Sequence, residues 1–114
     1  MKTKLIASLI IAGAAAMISV SPVHAAVDAD AAQALAKKSG CMKCHAVDKD
    51  KKGASFQKTA AKYKGKADAE AKVTDSITKA PKVKMDDGTQ EEHKVVDSKD
   101  PKEIKNLVQW ILAQ

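Results

Sequence analysis

The chain has 114 residues and a mass of 12.1 kDa, room for one domain, which excludes a two-domain enzyme. Its 20 basic residues outnumber 14 acidic ones for a formal charge of +6, but every base is lysine, so the bidentate fork with which arginine reads phosphate is missing. One Trp, one Tyr and one Phe make no stacking platform for nucleic acid.

Residues 1–25 read as an export signal: Lys2 and Lys4, an uncharged apolar run from Leu5 to Val20, then Val23-His24-Ala25 as a small-residue cleavage site. The working protein is then one domain, residues 26–114, in the periplasm with no membrane span. Removing the signal takes away two lysines and no acid, so the formal charge falls from +6 to +4. Leu, Ile, Val and Phe then number 14 of 89 residues, below the ~20 % at which chains with excess charge tend to be disordered. So short a chain with so little apolar bulk needs a disulfide, a metal or a partner to complete its core.

The spacing predicts a first helix capped by Asp30 and running through Lys38, with Leu35 its one large apolar residue among alanines. Gly40 ends it, and Cys41-Met42-Lys43-Cys44-His45 follows at once. A disulfide across two intervening residues constrains the unfolded chain very little. Two thiols and His45 crowd one turn with no second Cys or His pair, a poor zinc site, and a thioredoxin-like redox pair wants a βαβ pattern that is absent. The remaining reading of Cys-x-x-Cys-His is covalent haem attachment. Thiols one turn apart, Cys41 and Cys44, reach the two vinyl groups of one porphyrin as thioethers, and His45 is placed beneath the iron as proximal ligand. A single haem c then supplies the missing core.

After a lysine-rich loop, Asp48 to Gly53, Ser55 caps a short helix carrying Phe56, Ala60 and Tyr63 and closed by Gly65. A third helix runs from about Ala67 to Lys79, with Val73 and Ile77 at i, i+4, and Pro81 stops it. The last has its cap at Asp100, proline at the first helical position and Glu103 completing a capping box. Its Ile104, Leu107, Val108 and Ile111 line one face. No segment alternates with period two long enough to argue a sheet. The expected fold is all-α, about four helices around one covalently bound haem.

With these residues in place the chain resembles the class I c-type cytochromes, in particular the small bacterial single-haem carriers of the c-551/c-552 kind, over nearly all of residues 26–114. The helix ending at Gly40 and the following Cys41-Met42-Lys43-Cys44-His45 look like the family's attachment segment. Gly53-Ala54-Ser55-Phe56, through Ala60, Ala61, Lys62 and Tyr63 to Gly65, looks like its Gly-Pro-x-Tyr loop and following helix, and Leu107 to Leu112 with Trp110 like its C-terminal helix. Ala54 stands where the family usually has a proline whose carbonyl accepts the proximal histidine's Nδ1 hydrogen bond. Because that acceptor is main chain, Ala54 can still serve, with a looser loop.

The resemblance implies a sixth iron ligand on the loop between the third and last helices, ordinarily a methionine. Two residues compete, Met85 and His93. His93 stands seven residues before Asp100 and seventeen before Trp110, whereas Met85 stands fifteen and twenty-five before them. The family pattern sets the ligand shortly before the last helix, which favours His93, with Met85 the alternative. His93 as ligand requires residues Pro81 to Gln90 to fold back as a flap, so that its ring arrives opposite His45.

Two axial ligands leave no position for a substrate, so the expected role is a one-electron carrier between larger redox proteins, not an enzyme, acting as a monomer. Lys43, Lys49, Lys51, Lys52 and Lys58, near the haem motif in sequence, supply a positive field that would steer an acidic redox partner. The rival functions are a gas-binding haem protein or sensor with a displaceable His93, and a small haem subunit docked on an oxidoreductase.

Overall fold

Ten residues dominated by alanine form α1 (Ala29–Lys38). The computed structural model describes Gly13 and residues 26–114; the export signal expected over residues 1–25 otherwise lies outside the described residues. The cap of α1 is Asp28, not Asp30: its carboxylate accepts from the Ala31 N–H at 3.0 Å, and Asp30 sits in the first turn. A tertiary contact decides between the two aspartates. Asn106 accepts from the Asp28 N–H and donates to the Asp28 carbonyl, both at 2.9 Å, fixing the start of α1 on the last helix.

A single 3-10 turn (Cys41–Lys43) follows Gly40. Then come α2 (Phe56–Tyr63), capped as expected by the Ser55 hydroxyl on the Lys58 N–H at 3.0 Å, and α3 (Ala69–Thr78), which begins slightly later than the spacing predicts. The last helix, α4 (Pro101–Leu112), has Asp100 as its cap and proline in its first turn. Its capping box is modified. Glu103 accepts from the Ser98 hydroxyl at 2.5 Å, and that hydroxyl in turn accepts from the Asp100 N–H at 3.1 Å, so a serine intervenes between box residues that ordinarily meet directly.

Between α3 and α4 the chain makes a β-hairpin that the sequence reading did not expect: β1 (Lys82–Lys84) pairs antiparallel with β2 (Gln90–Glu92), Val83 opposite Glu91. Ala80, at φ 48°, turns the chain out of α3 into it. Asp87 accepts from both the N–H and the hydroxyl of Thr89, at 2.9 and 2.6 Å, and Gly88 takes the positive φ of the turn. Those contacts hold the Asp87 carboxyl below its usual range.

All three other helices pack on α4. Ala32 and Ala36 of α1 are buried in one cluster with Leu35, Phe56, Val73, Ile77, Val96, Leu107, Val108, Trp110 and Ile111. Small side chains let α1 lie close to α4, since interaxial distance follows the side chains at the contact. Cys41, Met42 and Val47 border this cluster, half-buried, so the Cys-x-x-Cys-His turn forms one edge of the core.

Candidate functional site

Gly40 takes φ 75°, the left-handed conformation that ends α1 and starts the next turn. The His45 N–H donates to the Cys41 carbonyl at 2.9 Å, and the Cys44 N–H to the same oxygen at 3.2 Å, which sets Cys41, Cys44 and His45 on one turn. The cysteines are half-buried and not bonded to each other. Burial pushes the Cys41 thiol up; a backbone hydrogen bond opposes this and the neighbouring Cys44 adds a smaller rise. The two free thiols thus sit on one turn at the edge of the core.

The loop after His45 folds back over it. Gly53 N–H donates to the Cys44 carbonyl at 2.7 Å and Phe56 N–H to that of Ala46 at 2.9 Å. His45 Nδ1 meets the Ala54 carbonyl at 2.6 Å. A carbonyl only accepts, so Nδ1 carries the proton and the Nε2 lone pair is free for a metal. Gly53 lies flat against the ring: a Cβ there would overlap Cε1 and stand 2.8 Å from Nδ1 and 3.0 Å from Nε2. Phe56 stacks on the same imidazole at 5.4 Å and 21°, and its own ring meets Trp110 edge-on at 5.4 Å.

Against His45 comes His93. The hairpin folds residues 82–92 back on themselves, and the His93 N–H closes its base on the Pro81 carbonyl at 2.8 Å. Two further bonds pin the following segment: Val96 N–H to the Ile77 carbonyl and Asp97 N–H to the Ser39 hydroxyl, each at 2.8 Å. The ring centroids of His45 and His93 are 6.1 Å apart, with planes at 47°. His93 Nδ1 donates to the Lys94 carbonyl at 2.9 Å, leaving its Nε2 lone pair free as well. Met85 sits at the hairpin's turn, its N–H on the Thr89 carbonyl at 2.7 Å, and it is not among the hydrophobic side chains packed against the core.

The lysines divide. Lys43 and Lys94 both run over Gly40, Lys94 Nζ lying 3.7 Å from where a Cβ would be, and Lys51 Nζ donates to the Met42 carbonyl at 2.7 Å. Lys58, counted with the steering set from its sequence position, is ion-paired to Asp50 at 2.9 Å. Gly53 and Phe56 were placed in this loop by the resemblance, without their contacts to the ring; Asp50 and Lys94 are the site neighbours that the sequence reading did not assign. For Lys94 the signal was its place beside His93.

A sequence profile of the family described as Cytochrome c matches residues 29–114. The chain belongs to the cytochrome c family. Cytochrome c-551 of Pseudomonas denitrificans is 34% identical over 79 residues, which are 69% of this chain and 92% of that one. Among solved structures, the class 1 cytochrome MtoD from Sideroxydans lithotrophicus ES-1 is similar with a TM-score of 0.74 and 55% identity, covering 77% of this chain and 97% of that one. Wild-type Nitrosomonas europaea cytochrome c552 is similar with a TM-score of 0.55 and 30% identity, covering 70% and 95%. This cytochrome c is thus an electron-transfer protein with the all-α cytochrome c fold and a c-type haem, and Cys41 and Cys44 fit its Cys-x-x-Cys-His attachment motif. The hairpin is an element beyond the expected helices.

Proposed function

We propose that this cytochrome c is a periplasmic one-electron shuttle, anchoring its haem through Cys41 and Cys44 and holding the iron between two imidazoles, His45 and His93. The observation that carries the reading is the shared tautomer of two facing rings: each turns its Nδ1–H to a main-chain carbonyl, Ala54 or Lys94, and keeps Nε2 for a metal. A metal–nitrogen bond is about 2.0 Å and a ring nitrogen lies about 1.1 Å from its centroid, from ring bonds of about 1.35 Å. Two imidazoles that held one metal between them would therefore have centroids about 6.2 Å apart by those same lengths, close to the 6.1 Å between His45 and His93.

When bound, the haem supplies a one-electron iron couple. His45 is oriented by the Ala54 carbonyl, Gly53 and Phe56; His93 is oriented by the hairpin base and by Lys94. His45 and His93 would together hold the iron and leave no position for a substrate, which supports a carrier over an enzyme. Lys43, Lys51 and Lys94 give the attachment turn a positive field suited to brief encounters with an acidic redox partner. No helix among the described residues is long and apolar enough to cross a membrane. Export through residues 1–25 and action as a monomer complete the proposal.

Carbon monoxide added to the reduced protein tests it. The carrier reading expects an unchanged absorption spectrum; a rapid shift would mean that His93 yields to a gas, as in a gas-binding protein.

A further inference from the structure

A trans peptide group presents its C=O and its N–H in opposite directions from one rigid plane. The plane joining Ala54 to Ser55 is held at both ends. Its carbonyl accepts from His45 Nδ1 at 2.6 Å, and its N–H donates to Asp50 Oδ1 at 2.8 Å. The other carboxylate oxygen, Oδ2, accepts from the Lys58 ammonium of α2 at 2.9 Å, so Asp50 is itself fixed to the helix that Ser55 caps. The Ser55 N–H, and after it Lys58, hold the Asp50 carboxyl below the usual carboxylate range.

We propose that Asp50 is a positioning residue for the proximal imidazole: through the Ala54–Ser55 peptide it aims the Ala54 carbonyl at His45 Nδ1 and polarises it. Alanine at position 54 imposes little on the backbone, so the orientation of this peptide depends on what grips it. A carboxylate on the N–H is a charge-assisted grip. It fixes the plane and makes the carbonyl oxygen at the far end a stronger acceptor, since hydrogen bonds in a chain polarise one another. The stronger that acceptor, the more basic the imidazole, and the more its Nε2 favours the oxidised iron. Asp48, in the same loop, is exposed and makes no hydrogen bond or ion pair among the described residues, so it is the control that separates the bond from negative charge in general.

The assignment rests on His45 being the proximal ligand. The test is nuclear magnetic resonance of the reduced holoprotein. In the wild type, the His45 ring signals should carry the large upfield shifts of a ligand above a porphyrin; ordinary positions would refute the ligand reading itself, whatever the variants do. Asp50→Ala should speed exchange of the His45 Nδ1–H about tenfold, the factor for losing a bond of about 1.4 kcal/mol, and should raise the midpoint potential more than Asp48→Ala. Asp50→Asn, which keeps an acceptor oxygen, should restore most of the protection, and Asp48→Ala should leave it unchanged. Wild-type Nδ1–H exchange in Asp50→Ala, or equal acceleration by Asp48→Ala, would overturn the proposal. Should Asp50→Ala fail to mature, the wild type still decides: the Ser55 amide must be protected, and exchange at the rate of an open loop would overturn the proposal alone.

Discussion

His45 and His93 face one another with ring centroids 6.1 Å apart, one ring fixed by the turn after α1 and the other delivered by the hairpin between α3 and α4. Each ring is oriented by a main-chain carbonyl at Nδ1. The pair therefore depends on two backbone constructions, the fold-back of residues 46–55 and the closed base of the hairpin at Pro81 and His93.

Folding should depend on the haem. The buried cluster draws two of its members from alanine, and the attachment turn lies at its edge, where the cofactor would be covered. Replacing Cys41 and Cys44 with Ala should leave a largely unfolded chain, since a group bound only by the native state stabilises that state. Circular dichroism should show most of the helix signal lost; native helix content with a cooperative melt would contradict this.

Gly53→Ala should displace the proximal ring. A Cβ within 3.0 Å of three ring atoms leaves no room, and the neighbours are loop backbone and a stacked phenylalanine. Overpacking of this kind costs about 1–3 kcal/mol. A lower melting temperature together with a partly high-spin ferric spectrum is expected, and a wild-type melt and spectrum would count against the packing described.

The helices were legible in the sequence because their signals are local: Ser55, Asp100 and Pro101 cap or start a helix, and Gly40 ends one. The attachment motif was legible for the same reason. The exchange of Asp30 for Asp28 as first cap was not, because two aspartates two residues apart are equivalent locally and Asn106, far along the chain, chooses between them. The hairpin escaped because its strands are three residues each and mostly exposed on both faces, so no apolar alternation exists. Asp87-Gly88 was its only mark, a common hairpin turn pair. Asp50 escaped because its link to the site runs through the Ser55 backbone N–H, which no side-chain pattern announces.

Docking on an acidic partner should weaken with salt. Lys43 and Lys94 converge over Gly40 beside the attachment turn, and exposed charges are screened beyond about 10 Å at 0.1 M salt. Electron transfer should slow as salt rises, and Lys43→Glu with Lys94→Glu should slow it several-fold at low salt, since such charges act mainly on the association rate. Stopped-flow rates indifferent to both changes would leave these lysines as ordinary solvated side chains.

The central claim is that His93, and not Met85, completes the iron's coordination. Both candidates belong to the hairpin region, but it is the His93 ring that lies 6.1 Å from that of His45, while Met85 lies at the turn. The most direct measurement is the near-red absorption of the ferric protein, compared among the wild type, His93→Ala and Met85→Ala. The account predicts no sulfur-ligation band in the wild type, a high-spin spectrum open to cyanide in His93→Ala, and a wild-type spectrum in Met85→Ala. It also predicts a potential below that of a methionine-ligated haem, because methionine ligation raises it. A sulfur band in the native protein that vanishes in Met85→Ala would contradict it.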